Sequence, residues 1–213
     1  MSANTDAGFS VVTYTGAGST STVGHGLSTA PNLHILKNRS SFASWIVYTT
    51  TIDGTLDYLL LDTTAVAGNS GVSAPTSSVF SVGSDSSTGA SGDNYVAYCF
   101  HSVEGFSKIG AYTGNGNADG PFIYTGFRPA FVIVKNASAV DSWFINDNKR
   151  NPYNVVDSQL FANSSDAEAD SRGLDFLSNG FKILDSSTSH NGNGNTILYI
   201  AFAEMPFKYA NAR

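Results

Sequence analysis

Cysteine is almost absent from this sequence, which contains Cys99 alone. A single cysteine cannot form an intrachain disulfide, so the sequence does not predict the disulfide scaffold of many small secreted domains. Zinc sites usually take several Cys or His ligands, and the four histidines show no such spacing. We therefore expect no cofactor and no metal site built from Cys and His.

Charged residues are also scarce, at 13% of the chain, against roughly 25% in an average soluble domain. The net charge of -6 and the isoelectric point near 4.9 oppose binding to nucleic acid or to an anionic membrane. Both partners need clustered Lys and Arg, and the 11 basic residues of this chain are scattered. We expect no nucleic-acid partner.

Long apolar runs are missing as well. No stretch approaches the roughly 20 apolar residues of a membrane-spanning helix. Residues 1–8 (MSANTDAG) lack the basic and apolar regions of a signal peptide and are expected to form a flexible arm. These features predict a soluble protein that is made in a cytoplasm and does not insert into a membrane.

Motifs of hydrolases and nucleotide-binding proteins are absent. The sequence contains no G-x-S-x-G, no H-E-x-x-H and no G-x-x-x-x-G-K-[ST]. Two aspartates could together serve glycoside hydrolysis, but nothing singles out one pair, and solvated turn aspartates explain them better. We expect no catalytic residues and a protein that is not an enzyme.

What the chain does contain is a duplication. The stretch FSKIGAYTGNGNADGPFIYTGFRPAFVIVKN (106–136) repeats the order of FSVVTYTGAGSTSTVGHGLSTAPNLHILKN (9–38). Four matched pairs lie 98 positions apart: Tyr14 and Tyr112, Pro31 and Pro129, Asn38 and Asn136, and Trp45 and Trp143. The offset grows only to 101 at Phe80 and Phe181, and to 102 at Phe100 and Phe202. The duplication predicts two repeats, residues 9–105 and 106–213.

The composition of each repeat favours strands and turns, since Thr, Val, Tyr and Gly are frequent. Predicted strands of the first repeat are FSVVTYT (9–15), LHIL (33–36), SWIVYTT (44–50), YLLL (58–61), VFSV (79–82) and YVAYCFH (95–101). Those of the second repeat are 106–113, 130–135, 142–146, 154–156, 181–184 and 197–202. The fold prediction is all-β, with two tandem, internally repeated β-sandwich-like lobes packed together and at most one short helix. Residues 164–172 (SSDAEADSR) are expected to supply that helix and to hold the net insertion of the second repeat.

The repeat also tests two tempting sites. Cys99 and His101 could form a metal or nucleophile pair, but the matched residues are Ala201 and Ala203, so we interpret Cys99 as a small buried residue. Because a tryptophan occurs at the same position of both repeats, we expect Trp to be a core anchor there, with sugar stacking as the weaker alternative.

Functional residues are expected where the copies differ. The turn NGNADG contributes Asn115, Asn117 and Asp119, and it resembles the opening of an EF-hand loop. Its twelfth position is Gly126 rather than a carboxylate, so an EF-hand is excluded, while a looser Ca²⁺ site stays open. A glycine- and asparagine-rich connection is the alternative interpretation of this turn.

A second departure from the repeat is DNKRNPY, which concentrates Lys149, Arg150 and Tyr153 without a cationic counterpart in the first copy. A specialised loop departs from its repeat in this way, although a solvated turn is an alternative. We predict that these three residues and the NGNADG residues contact a receptor.

The strings YVAYCFH, GFSKIGAYTGNG and the terminal AFAEMPFKYANAR carry a family resemblance. With the flanking sequence from Phe9 onward, they resemble a duplicated β domain of virion proteins from tailed bacteriophages, especially marine ones. Such domains occur in tail-fibre and appendage proteins, often beside jelly rolls that resemble sugar-binding domains. The resemblance implies a place in the virion, after synthesis in the host cytoplasm, and it carries over no catalytic residue.

The resulting functional expectation is a structural or adhesive virion protein that contacts host-surface glycans. Other virion proteins are the expected partners, and family analogy favours a homo-oligomer, specifically a trimer. The alternatives are a carbohydrate-binding module, a glycan depolymerase and a capsid decoration protein.

Overall fold

The structure, a computed structural model, describes residues 1–205 except for the side chains of residues 171 and 172. The chain divides into two compact units. Unit 1 comprises Met1–Asp62 and Ala67–Ser102, and unit 2 comprises Thr63–Val66 and the chain from Val103 onward. The end of the predicted second repeat, 206–213, lies outside the described residues, as does most of the terminal string AFAEMPFKYANAR.

Unit 1 is built from nine strands. These are β1 (Ser2–Asn4), β2 (Phe9–Thr15), β3 (Ser21–Gly24), β4 (Leu33–Asn38), β5 (Ile46–Thr49), β6 (Asp57–Leu60), β7 (Gly68–Asn69), β8 (Val79–Val82) and β9 (Asn94–Phe100). Seven of them form one sheet in the order β1-β2-β9-β4-β5-β6-β7, and β3 pairs with β8 in a separate two-stranded sheet. Strand β1 lies within the arm of residues 1–8 and pairs antiparallel with β2.

Up to residue 205, unit 2 contains eight strands and one helix. These are β10 (Ser107–Thr113), β11 (Phe122–Tyr124), β12 (Pro129–Asn136), β13 (Trp143–Asp147), β14 (Val156–Phe161), β15 (Ala169–Leu177), β16 (Gly180–Ile183), α1 (Thr188–Asn191) and β17 (Thr196–Ala203). All eight strands form one sheet in the order β10-β17-β12-β13-β14-β15-β16-β11.

The two units repeat one topology. The order β2-β9-β4-β5-β6 in unit 1 matches β10-β17-β12-β13-β14 in unit 2. In both units, the last strand of the repeat lies between two earlier strands. Strand β9 lies between β2 and β4, and β17 lies between β10 and β12. The prediction of an all-β protein with two internally repeated lobes and one short helix is confirmed.

Strand β9 shows how the sequence positions these sheets. Tyr95, Ala97 and Cys99 are buried on one face, and Val96, Tyr98 and Phe100 are half-buried on the other. Apolar side chains on both faces are typical of a strand that is covered on both sides. Strand β9 accordingly lies between β2 and β4 and contributes to the apolar core of unit 1.

The residues that keep the 98-residue offset are structural. The Tyr14 hydroxyl donates to the Thr88 carbonyl at 2.6 Å, and the Tyr112 hydroxyl donates to the His190 carbonyl at 2.7 Å. Asn38 and Asn136 each accept two backbone N–H groups of the following turn, and each donates to a carbonyl distant in the sequence, that of Ser86 or Thr188. These bonds satisfy buried backbone groups, which explains why both copies carry the same residues.

Glycine is required where two loops approach each other in each unit. A Cβ at Gly16 would lie 2.1 Å from the Ala90 carbonyl oxygen, and a Cβ at Gly114 would lie 2.3 Å from that of Gly192. Both distances are far below van der Waals contact, so only glycine fits at these two positions, which directly follow β2 and β10.

The units differ in how the sheet continues beyond β6 and β14. In unit 2, β15 pairs with β14 and with β16, and so joins the whole sheet. In unit 1, β7 has two residues and pairs with β6 alone, while β8 pairs with β3. The sheet of unit 1 is therefore interrupted where that of unit 2 is continuous.

The interruption has a reason in the sequence. Gly68 matches Ala169 and Phe80 matches Phe181, so Ser73 and Pro75 stand where unit 2 has Leu174 and Phe176. Leu174 and Phe176 are buried in the core of unit 2. Serine cannot replace that apolar contact, and proline has no N–H for a strand ladder.

The predicted helix over residues 164–172 is wrong. Ala169 and Asp170 pair with Gln159 and Ser158 in an antiparallel ladder, and the helix of unit 2 is instead α1. Before the strand, the Ser164 hydroxyl accepts the Asp166 N–H. Ser and Asp form such local turns as readily as they cap helices, which is why their presence misled the prediction.

The predicted position of the insertion is also wrong. Tyr58 pairs with Gly68 and Gln159 with Ala169, so the β6–β7 and β14–β15 connections have equal lengths. Ile46 pairs with Leu60, 14 positions later, whereas Phe144 pairs with Phe161, 17 positions later. The extra residues therefore lie in the β13–β14 connection, which contains DNKRNPY.

Within the described residues, no helix is long and apolar enough to cross a membrane.

Candidate functional site

The NGNADG turn is held by an internal amide network. The Asn191 side-chain amide donates to the Asn115 Oδ1, the Asn117 carbonyl and the Asp185 carbonyl at 2.7–2.9 Å, and its oxygen accepts the Asn115 N–H. The Asp119 carboxylate lies 2.6 Å from the Lys182 Nζ, and this hydrogen bond and charge lower the pKa of Asp119. The polar groups of this turn are thus largely engaged within unit 2.

Arg150 of DNKRNPY is likewise engaged by neighbouring groups. Its guanidinium donates to the carboxylates of Asp147 and Glu168 at 2.7 and 3.0 Å and to the Ile145 carbonyl at 2.8 Å. Lys149 is exposed and Tyr153 is 82% exposed. Two of the three predicted residues are therefore available to a partner, while Arg150 fixes the loop. Among the described residues, no hydrogen bond or ion pair joins this loop to the NGNADG turn.

Cys99 is fully buried, as predicted. Burial raises the pKa of its thiol to about 12, which is the opposite of an activated nucleophile. Trp143 is fully buried and Trp45 is half-buried, with the Lys37 Nζ 5.7 Å from the Trp45 ring centroid. Both tryptophans are framework residues.

Unit 1 contains a cavity of about 290 Å³ at the interruption of its sheet. Strands β5 and β6 supply Ile46, Tyr48, Tyr58 and Leu60, and the β8–β9 connection supplies Asp85, Ser87 and Thr88, with Ser44 and Ser70 at the margin. Its volume is near the lower end of the roughly 300–1,000 Å³ of ligand sites, which suits one small ring. Apolar walls with a few convergent polar groups are the usual composition of such sites.

Within the part of the chain that the structure describes, Asp85 is the only carboxylate that lines this cavity. Its Oδ1 accepts the Ser87 N–H at 2.8 Å, and its Oδ2 accepts the Thr88 hydroxyl at 2.5 Å. These two bonds fix the orientation of the carboxylate. A carboxylate can accept roughly four hydrogen bonds, so capacity remains for a ligand.

Two tyrosines form the aromatic part of the wall. Tyr58 is 37% exposed, and its ring packs on Gly68, where a Cβ would lie 2.7 Å from the ring. Tyr48 is buried, and burial together with the nearby Asp85 charge raises the pKa of its hydroxyl to about 12. Tyr58 thus offers an aromatic surface, and Tyr48 stays a neutral phenol at physiological pH.

Behind Tyr48 lies a buried histidine. His34 pairs with Tyr48 across β4 and β5, and its ring centroid lies 5.1 Å from that of Tyr48 and 5.0 Å from that of Phe80. It is fully buried, and neither ring nitrogen has a hydrogen-bond partner among the described residues. Burial, with a smaller effect of His25, lowers the pKa of His34 to about 3, so the ring is neutral.

The matched space in unit 2 is filled. Thr88 and His190 are equivalent positions of the two repeats, because their carbonyls accept the hydroxyls of Tyr14 and Tyr112. Tyr58 and Gln159 are equivalent as well, because they pair with Gly68 and Ala169. His190 is buried, with its ring centroid 4.6 Å from that of Phe144 and its Nε2 3.3 Å from the Gln159 Nε2.

The far side of His190 faces Asp185. The His190 Nδ1 lies 3.5 Å from the Asp185 Oδ2. Burial disfavours the charge of Asp185, but the nearby His190 imidazole and the hydrogen bond from the Ser187 N–H outweigh it and lower the pKa of the carboxyl. An imidazole thus occupies in unit 2 the region that the shorter Thr88 leaves open in unit 1.

Sequence reasoning missed the cavity because it looked for departures from the repeat in loops only. The informative departures are inside the strands, where Tyr48 and Tyr58 stand opposite Asn146 and Gln159. Buried positions of a repeat are expected to stay apolar or to match, so paired aromatic-for-amide exchanges were the available signal.

No curated protein and no solved structure matches the chain. A family described as Domain of unknown function (DUF7483) matches residues 1–206, which include both units. Its extent agrees with the duplicated architecture, because one family domain covers both copies of the repeat. The chain therefore belongs to the DUF7483 family.

Proposed function

We propose that the protein is a non-enzymatic adhesive component of a phage virion, carried in a tail fibre or appendage, that binds host-surface glycans through the cavity of unit 1. The cavity carries the proposal: Tyr58 offers a ring for stacking, and Asp85 and the surrounding hydroxyls offer hydrogen bonds. Sugars present apolar C–H faces and a rim of hydroxyls, which these groups complement.

The virion part of the proposal rests on the resemblance of the sequence to duplicated phage domains. A neutral surface rich in hydroxyl and amide groups, with 13% charged residues, suits contact with glycans rather than with nucleic acid. By family analogy the protein acts as a homo-oligomer, specifically a trimer, beside other virion proteins.

Binding is favoured over cleavage by the carboxylate content of the cavity. Glycoside hydrolysis generally needs two carboxyl groups that flank the scissile bond, roughly 5–10 Å apart. Asp85 is the only carboxylate among the described residues that line the cavity. A depolymerase would therefore lack its second group at this site.

The binding test compares two tyrosines. Purified protein is titrated onto host cells or host polysaccharide, with Tyr58→Ala as the variant and Tyr153→Ala as the control, because Tyr153 is 82% exposed outside the cavity. We expect Tyr58→Ala to weaken binding at least tenfold and Tyr153→Ala to leave it unchanged. The reverse result would transfer the site to the DNKRNPY loop and refute the cavity.

Two further measurements separate the alternatives. Release of reducing ends from host polysaccharide would make the protein a depolymerase and contradict the non-enzymatic assignment. Immunogold labelling of intact particles is expected to mark the tail or its appendages. A label spread over the capsid would indicate a decoration protein.

A further inference from the structure

Asp85 gives the cavity of unit 1 a fixed hydrogen-bond acceptor. Asp85 keeps capacity for two further hydrogen bonds after those from Ser87 and Thr88, and both existing donors hold its carboxylate in place. Among the described residues, the lining of the cavity contains no Lys, Arg or His. A ligand whose hydroxyls donate to Asp85 and accept from the Ser and Tyr hydroxyls therefore matches the site better than an anion, which only accepts hydrogen bonds.

The negative charge of Asp85 is not compensated nearby. None of the ion pairs formed between described residues includes Asp85. Asp85 is itself exposed, so water screens part of its charge, and an anionic ligand in the cavity meets a moderate repulsion that is strongest at low ionic strength. Adjacent hydroxyls of a neutral sugar would instead donate to the free positions of the carboxylate.

The aromatic wall of the cavity limits the size and the orientation of the ligand. One side of the Tyr58 ring packs on Gly68, so the ring is supported there and exposes the rest of its surface. Tyr58 and Asp85 both line this cavity of about 290 Å³, so a pyranose bound there can stack on the ring and present its rim hydroxyls to the carboxylate. The cavity accommodates one ring and leaves the remainder of a chain outside.

We propose that unit 1 binds a single neutral pyranose, such as a terminal residue of a host glycan, and rejects acidic sugars, with Asp85 as the specificity-determining residue. This inference rests on the proposed glycan-binding function. It also fixes the stoichiometry at one site per chain, because His190 and Gln159 fill the matched space of unit 2.

The test is calorimetric titration of the whole protein at pH 7 with methyl glycosides of glucose, galactose and mannose, and with glucuronic and galacturonic acid. We expect at least one neutral glycoside to bind once per chain and the acidic sugars to bind at least about tenfold more weakly. Asp85→Asn removes the charge and keeps an acceptor for the Ser87 N–H. This variant is expected to bind the neutral glycoside more weakly and to show a smaller difference in affinity between neutral and acidic sugars.

Two controls keep the result interpretable. Tyr58→Phe retains the stacking ring and should bind the neutral glycoside within a few-fold of the native protein, whereas Tyr58→Ala should not. Thermal unfolding of each variant establishes that the fold is retained. If Asp85→Asn unfolds, Asp85→Glu takes its place: its longer side chain displaces the carboxylate and keeps the charge, so neutral glycosides should bind less tightly while acidic sugars are still rejected.

The outcomes distinguish this inference from the proposed function. Acidic sugars that bind as tightly as neutral ones, with Tyr58→Ala still abolishing binding, would overturn the specificity but leave the glycan site in place. Absence of binding by every sugar, or binding that survives Tyr58→Ala, would overturn both.

Discussion

The two units share one strand order and differ in whether their interior is open. In unit 2, β15 closes the path from β14 to β16, and His190 fills the adjoining interior. In unit 1, β7 is two residues long, and a cavity lies where Thr88 replaces the histidine. The duplicated strand order is thus compatible with two interiors: unit 2 fills with His190 the space that unit 1 leaves open.

The contrast predicts unequal responses at matched core positions. Leu174→Ala should destabilise unit 2 by about 2–5 kcal/mol, because it leaves a cavity among buried side chains. Ser73→Ala, the matched change in unit 1, should alter stability by less than about 0.5 kcal/mol. Each unit has one tryptophan, so urea unfolding followed by fluorescence in Trp45→Phe and Trp143→Phe backgrounds reports on the units separately. Equal losses from both changes would mean that β15 does not close unit 2.

Acid should weaken unit 1 before unit 2. The folded pKa of His34 is about 3, below its ordinary value of 6.5, so the unfolded chain binds the proton first and stability falls as the pH drops from 6.5 toward 3. The loss amounts to about 3 kcal/mol by pH 4. Asp185 of unit 2 has a lowered pKa, and its contribution is lost only below the ordinary value of 3.8.

The variant that checks this effect is His34→Val, which installs the residue found at position 132 of unit 2. It should abolish the loss between pH 6.5 and 4 that the Trp45 signal reports in the Trp143→Phe background. If the native and variant proteins respond to acid alike, His34 is not buried and neutral as described.

Closing the cavity in the manner of unit 2 should abolish sugar binding. Thr88→His places an imidazole where His190 reaches the residues matched to Tyr58 and Ile46. We expect at least tenfold weaker binding of neutral glycosides in calorimetry. Thr88→Ser, which keeps the hydroxyl bonded to Asp85, should bind as the native protein does. Undiminished binding by Thr88→His would place the sugar elsewhere.

The smallest expected effect is at Gly68. Its backbone can accept alanine, since unit 2 has Ala169 at this position, but the new Cβ would meet the Tyr58 ring at 2.7 Å. The ring must therefore shift, and sugar binding should weaken a few-fold while unfolding by urea changes little. Gly71→Ala is not a suitable control because φ there is +69°. Ser73→Ala is the control instead. An equal change in sugar affinity in both variants would show that Gly68 has no specific role at the site.

Local patterns predicted the parts of the fold that rest on apolar alternation. FSVVTYT and VFSV coincide with β2 and β8, and YVAYCFH overlaps β9 almost fully. Strands β3, β11 and β15 were not predicted, because STVG, FIY and ADSRGLDFL are short, or rich in polar residues, and gain their strand structure from pairing. Of the proposed receptor residues, the sequence located two turns, but it could not reveal that Arg150 and Asn115 are engaged by neighbouring groups.

The sequence by itself determined the all-β class, the duplication and the framework pairs such as Tyr14 with Tyr112, because apolar alternation and repeated residues are properties of the chain. Only the tertiary structure decided that Tyr58, Asp85 and Thr88 meet around one cavity. Tyr58 lies in β6, whereas Asp85 and Thr88 lie in the β8–β9 connection. The space between these segments is open because unit 1 has no continuous strand equivalent to β15. A cavity is set by what fills the space between elements, and that is a property of packing rather than of any one segment.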